Sequence, residues 1–298
     1  MPDVRYLLCL VPLTVGNAEP PPIPGPIRAM VDAAIAAGND ADVTTIVKYA
    51  RAADPASADA VLALADAWRA EQTALRRATL KAAGPLELWS GRAELGGYLT
   101  TGNSYTVGMT ALIDVQREGL TWRHKLRLQA DYQKSLGVTA REHYLAAYEP
   151  NLKLGDRRYA YGAAQFESDR FLGYDTRYSL SAGAGYNAVR SPALKVDLEL
   201  GPAFRATAFT NGVDQASLAA RGRLDMSWRI SPAMTLTQAS SAYLESLNST
   251  VSSNTALSAR VAGPLSAQLS YVVQYESKPP SGRRTTDTTS RASLVYSF

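Results

Sequence analysis

From Trp89 to Phe298, apolar and polar positions alternate with a period of two, the spacing of β-strands with one greasy and one polar face. In one run Tyr105, Val107, Met109, Ala111, Ile113 and Val115 alternate with Thr106, Gly108, Thr110, Leu112, Asp114 and Gln116. In the next, Trp122, His124, Leu126, Leu128, Ala130 and Tyr132 alternate with Arg123, Lys125, Arg127, Gln129, Asp131 and Gln133. Similar runs cover 177–186, 194–204, 218–230, 265–275 and 288–298, while those around 159–169, 234–246 and 253–262 alternate less cleanly. The pattern predicts about twelve strands, each near the roughly ten residues needed to cross a bilayer at a tilt.

Before Trp89 the period is helical. Ile27, Met30, Val31, Ala34 and Ile35 mark a first helix, stopped by Gly38-Asn39. Asp40 is expected to cap a second, with Val43, Ile46, Val47 and Ala50 on one face. Asp54-Pro55 is expected to cap a third, striped by Val61, Leu64, Trp68 and Leu75 and ended by Gly84-Pro85. The predicted organisation is a Pro-rich linker over 19–26, a helical periplasmic segment over 27–84 and a barrel over 88–298.

A soluble sandwich also alternates, so the composition of the two faces decides. The apolar face carries aromatics near strand ends (Trp89, Tyr105, Trp122, Tyr132, Tyr186, Trp228, Tyr275 and Tyr296), as the girdles of a membrane barrel do. The other face carries charges that a sandwich core could not bury and a water-accessible lumen can. Glu118-Gly119, Gly155-Asp156, Ser191-Pro192, Ser231-Pro232 and Gly263-Pro264 read as tight periplasmic turns; 135–142, 207–215 and 278–286 read as longer outer loops. The fold class is therefore all-β, an antiparallel transmembrane barrel of about twelve strands behind a small α-helical segment. No apolar stretch approaches the ~20 residues of a membrane-spanning helix.

The first residues read as an export signal over 1–18: Arg5, an apolar core from Leu7 to Val15, then Gly16-Asn17-Ala18 before Glu19. The only cysteine, Cys9, lies inside it, which leaves no thiolate chemistry for a mature protein. The net charge of +4 is spread singly along the strands, so nucleic acid is not an expected partner.

Several short motifs point further when taken in order: Trp89-Ser90-Gly91, Glu94-Leu95-Gly96, Thr101-Gly102-Asn103-Ser104, Asp169-Arg170-Phe171 with Gly173-Tyr174, Gly201-Pro202, Tyr275 with Pro279-Pro280, and Thr286-Asp287-Thr288. Together with the ending Leu294-Val295-Tyr296-Ser297-Phe298, they resemble the domain-of-unknown-function 481 proteins, a YdiY-like, "salt-induced" outer-membrane family. The resemblance runs from about 88 to 298 and leaves the helical segment uncovered. It implies a barrel in the outer membrane of a Gram-negative bacterium, and no settled activity.

Candidate chemistry is sparse, and no cofactor is implied. Of the two histidines, His124 is expected to face lipid and His143 to end a loop beside Glu142, without metal-ligand spacing. An interfacial lipid hydrolase built on His124 is a remote reading, because no serine sits in a nucleophile motif. Glu167, Asp169, Arg170, Asp175 and Arg177 are expected to form a salt-bridged rim at one hairpin end. The expected lumen-lining set is Arg92, Glu94, Arg123, Lys125, Arg127, Asp131, Lys195, Asp197, Glu199, Arg221, Arg223, Asp225 and Arg291. Small Ser179, Ser181, Gly183 and Gly185 are expected to leave room beside it. Pairing of the two signs would close the lumen into a structural barrel; a basic ladder would favour small anions in a narrow channel. Leu294, Tyr296 and Phe298 are the expected signal to the barrel-assembly machinery. Outer-membrane lipid and lipopolysaccharide are the expected surroundings, and 27–83 is the segment that would meet a periplasmic partner.

Overall fold

A computed structural model describes residues 22–100, 106–135, 137–170, 172–246, 248–279 and 284–298. The expected export signal, residues 19–21 of the Pro-rich linker, the Thr101–Ser104 motif, Tyr105, Phe171 and Pro280 lie outside the described residues. The chain divides into two compact units at Thr79/Leu80.

In the first unit, α1 (Gly25–Ala36), α2 (Asp40–Ala53), a 3₁₀ turn (Pro55–Ser57) and the start of α3 (Ala58–Ala82) pack around Val31, Val43 and Val61, which are fully buried. Alanines 34, 50 and 65 complete this core and let the helices approach closely. Two capping expectations need correction. Asn39, not Asp40, caps α2: its Oδ1 accepts from the Ala41 N–H at 3.1 Å, and Asp40 falls in the first turn. Asp54 makes no side-chain cap, because Pro55 opens a 3₁₀ turn instead of a helix. Leu75 is exposed, so the apolar stripe of α3 is packed only in its first half.

The second unit is a closed antiparallel barrel of twelve strands: β1 (Trp89–Thr100), β2 (Thr106–Glu118), β3 (Trp122–Ser135), β4 (Val138–Lys153), β5 (Arg158–Asp169), β6 (Tyr174–Arg190), β7 (Leu194–Phe209), β8 (Asp214–Arg229), β9 (Met234–Glu245), β10 (Thr250–Ala262), β11 (Leu265–Glu276) and β12 (Thr286–Ser297). Each strand pairs with its sequence neighbours, and β1 pairs with β12 to close the sheet. Closure pairs the first strand with the last, which is what allows a sheet to sit in lipid.

The faces are inverted relative to a water-soluble protein. Leu95, Leu128, Leu180, Leu200, Leu218 and Leu269 point outward and exposed, while Glu94, Asp131, Glu199, Arg205 and Arg221 are at most 5 % exposed. The strand-end aromatics Trp89, Trp122, Tyr132, Tyr186, Trp228, Tyr275 and Tyr296 are all exposed on the outer face. Such a band is stable only against hydrocarbon, so the sheet is a membrane-spanning barrel.

The loop asymmetry is smaller than the sequence suggests. β3 runs to Ser135 and β4 starts at Val138, so most of 135–142 is strand; β7 and β8 likewise consume 207–209 and 214–215. Polar residues on the inner face extend these strands, and in sequence they look like loop. Of these three connections, the one between Glu276 and Thr286 remains the longest. At the opposite end, turns such as that at Gly263, whose φ of 52° suits glycine, stay tight.

On β6 and β7 the two backbones approach closely at a pair of glycines. A Cβ on Gly201 would sit 2.1 Å from the Ala182 carbonyl, and one on Gly183 would sit 2.2 Å from that of Leu200. The small residues there leave no free space, contrary to expectation. The Tyr159 ring occupies the volume beside Gly185, 2.2 Å from where its Cβ would be.

Candidate functional site: the charged lumen

Inward positions of the strands meet in two bonded layers. The layer nearer the tight turns centres on Arg221 of β8, whose Nη1 donates to Glu199 of β7 at 3.0 Å and whose Nη2 donates to Glu149 of β4 at 3.1 Å. β4 and β8 are not neighbours, so this guanidinium spans the lumen. Lys125 of β3 reaches the same two carboxylates, at 2.8 Å to Glu149 and 3.5 Å to Glu199. Tyr159 Oη donates to Glu199 at 3.0 Å. Arg223 joins Glu149 at 3.4 Å and Asp225 at 2.6 Å. Arg127 and Arg92 share Asp114, at 2.7 Å and 3.5 Å.

The second layer lies toward the other end. Arg177 of β6 pairs with Glu276 of β11 at 3.0 Å, and Arg205 of β7 with Glu245 of β9 at 2.8 Å. Ser217 also donates to Glu245. Arg291 of β12 pairs with Asp131 of β3 at 2.9 Å. His143 stands between Asp131, 3.1 Å from its Nδ1, and Glu167, 3.3 Å from its Nε2. Inward tyrosines support the cations: the Arg177 guanidinium lies 3.8 Å from the Tyr174 ring centre, Arg205 4.7 Å from Tyr243 and Arg221 4.8 Å from Tyr161. Charges buried to this degree are tolerable only when paired, and nearly all of them are.

Between the layers lies a cavity of about 190 Å³. At roughly 10–15 Å³ per water, it holds on the order of a dozen waters. Its wall on β9–β11 is neutral and polar (Ser240, Ser241, Ser252, Asn254, Ser270 and Gln274), and the remaining wall is charged.

The expected lumen residues distribute unevenly. Glu94 is buried and accepts from Gln268 at 2.9 Å across the seam. Arg123 pairs with Glu118 at 2.8 Å at the turn end, and Asp197 accepts from Asn187 at 2.5 Å. Lys195 is exposed at the turn end of β7. Arg229, also placed inward by parity, is exposed and donates to the Pro192 carbonyl.

Two expectations about this region are corrected. His143 does not end a loop; it sits inside β4, buried in the second layer, because β4 begins at Val138. The proposed rim also separates. Arg170 and Asp175 pair at 2.8 Å on the exposed hairpin, while Glu167 and Arg177 turn into the lumen. Glu149, Glu245, Arg141 and the four inward tyrosines are missing from the sequence-based set. Alternation was the available signal; for Tyr159, Tyr161, Tyr243 and Glu245 it was obscured because β5 and β9 carry small or polar residues on both faces.

Outside the barrel, His124 stacks between Trp122 and Tyr148, and its Nδ1 shares a 2.8 Å hydrogen bond with Tyr148 Oη. Among the described residues no serine or asparagine is hydrogen-bonded to it, and no cluster of His, Cys, Asp and Glu suits a metal ion.

A family model described as "Protein of unknown function, DUF481" matches residues 93–298. The chain is 27 % identical over 204 residues to "Uncharacterized protein YdiY" of Escherichia coli (strain K12), covering 68 % of this chain and 81 % of that one. Among solved structures, the NanC porin aligns with a TM-score of 0.45 at 12 % identity, over 69 % of this chain and 98 % of that one. The translocator domain of the autotransporter NalP from Neisseria meningitidis aligns with a TM-score of 0.42 at 16 % identity, over 80 % and 98 %.

Proposed function

We propose that this protein, which belongs to the DUF481 family, is a barrel of the bacterial outer membrane whose lumen is a narrow, cross-braced passage for small solutes, with mild preference for anions. The observation that carries this reading is the wall of the internal cavity. Among the described residues it presents eight Lys or Arg side chains and four carboxylates. Glu199, Glu245 and Glu276, which balance much of that charge, lie behind the cations and not on the wall. A solute inside would therefore meet guanidinium groups first, in a field weakened by the recessed acids. The outer-membrane location rests on the closed sheet with its exposed apolar band, since a barrel is one of the two backbone arrangements that can cross lipid.

In this reading outer-membrane lipid and lipopolysaccharide surround the band, and the assembly machinery reads Leu294, Tyr296 and Phe298 on β12 and its end. The helices within 27–83 would serve a periplasmic partner.

The test is single-channel recording on the refolded full chain in planar bilayers. Small discrete steps and a reversal potential on the anion side are expected. A folded barrel that never conducts would overturn the channel and favour a second reading, a non-conducting structural barrel. That alternative draws on Arg221, which bridges Glu149 and Glu199 across the lumen.

A further inference from the structure

The sheet is not zipped along its whole height. β1 and β12 pair from Gly91–Phe298 up to Gly96–Ser293. Beyond that point β1 continues to Thr100 paired only with β2, and β12 runs from Ala292 back to Thr286 paired only with β11. Gly96 marks where the seam parts. A Cβ there would lie 2.6 Å from Ser293 Oγ, whereas at Gly97 its neighbour within 4 Å would be the Gly108 carbonyl of β2, at 3.4 Å.

On the outer surface the parted edges lie in a groove of about 1050 Å³, walled by Leu95, Met109, Ala111, Leu269, Ala292 and Leu294. That is at the upper end of the roughly 300–1,000 Å³ typical of small-ligand sites. The alanines make the surface concave where leucines would fill it. From Met109 and Tyr132 a crevice of about 10 Å³ leads inward to Arg141, Thr289 and Arg291. It has room for about one water.

Arg141 differs from the other cations on the cavity wall. Each of the rest has a carboxylate within 4 Å; Arg141, among the described residues, has none. Its Nη1 donates to Thr289 Oγ1 at 3.0 Å, and its buried Nε has no hydrogen-bond partner. A guanidinium without a carboxylate partner is a strong donor to a carboxylate oxygen.

We propose that the half-open β1–β12 seam is a lateral binding site for a fatty acid, with the carboxylate at Arg141 and the acyl chain in the outer groove. Charge complementarity selects this occupant: Arg141, with no carboxylate within 4 Å among the described residues, stands at one end of a mostly apolar trough, and the other two charges on the crevice, Arg291 and Asp131, pair with each other. With room for about one water, the crevice admits one carboxylate oxygen and excludes a bulky phosphodiester head. Arg141 lies near the β3–β4 connection and the groove descends from it toward mid-height, which is the direction an acyl chain takes from a membrane surface. Arg141 also lines the lumen cavity, but the acyl groove lies on the outer face and binding there does not require conduction.

The test uses the full chain refolded in phosphatidylcholine vesicles, with a dansylated undecanoate as probe and oleate as competitor. One saturable site per chain is expected. Arg141→Gln should weaken binding about tenfold or more, the loss of one charge-assisted hydrogen-bonded pair. Ala292→Trp, or Ala111→Phe if the first fails to fold, should fill the groove and abolish binding. Oleyl alcohol should compete at least about tenfold worse than oleate. Equal affinity in Arg141→Gln, equal competition by oleyl alcohol, or displacement of the probe by lipid A but not by oleate would each overturn the proposal. So would Leu269→Cys protein that cross-links into dimers through this groove and binds no probe. Conductance measured on the same samples keeps failure here distinct from failure of the channel.

Discussion

Arg177 and Glu276 meet at 3.0 Å although β6 and β11 stand on opposite sides of the closed sheet, so their contact fixes the width of the lumen at that level. Both side chains are at most 4 % exposed. Removing either leaves a buried charge, and Arg177→Ala or Glu276→Ala should each cost about 3–5 kcal/mol. Replacing both together by Met and Leu should cost much less. Urea unfolding of vesicle-embedded protein, followed by heat-modifiable migration, checks the difference.

Arg223 faces the cavity with a side chain 22 % exposed, beside Glu149 and Asp225. Arg223→Glu should shift ion preference toward cations by about thirtyfold, corresponding to ~1 kcal/mol for each of the two unit charges changed in water-like surroundings. Arg221→Glu should act in the same direction and also weaken the brace to Glu149 and Glu199. Reversal potentials under a salt gradient measure both, and the shift should shrink as ionic strength rises.

Gly183 and Gly201 face the opposing backbone too closely to carry a Cβ. Gly201→Val should destabilise by at least about 1–3 kcal/mol through overpacking and lower the refolded yield. Gly222→Ala, where an added Cβ meets nothing within 4 Å, should refold normally.

The helical unit has its own core, so it should be separable from barrel assembly. Deleting residues 27–83 should remove the helical circular-dichroism signal and leave the heat-modifiable band of the barrel intact. Val61→Asp, at a fully buried position, should melt the helices without touching the barrel band. If the segment binds a periplasmic partner, both variants should lose it in a pulldown.

The strand count and the outward girdle were legible because lipid-facing positions must be apolar, and parity carries that constraint along every strand. Strand ends were not. Arg141 and His143 are polar because they enter a charged lumen, and polar residues near a turn look the same whether they belong to a loop or to an inner wall. The partners were illegible too. Nothing in the order of residues indicates that Lys125 meets Glu199 or that Arg291 meets Asp131, since both contacts depend on how the closed sheet curves. The parted seam was hidden for a related reason. Alternation continues through Thr286–Ala292 on β12 whether or not β1 lies beside it.

Gly91 and Phe298 exchange backbone hydrogen bonds of 2.9 and 3.0 Å, and nearby Gln268 reaches Glu94 across 174 positions of chain. Every other seam joins strands that follow one another directly, so hairpins can form as soon as their turns do. The β1–β12 seam instead ties the largest loop in the barrel. Its entropic cost grows only as the logarithm of loop length, but it returns nothing until the intervening strands are aligned. Closure is therefore the last act of folding. Until it happens, two unpaired edges stand open to any passing strand, so the time the chain spends unsealed sets its exposure to aggregation.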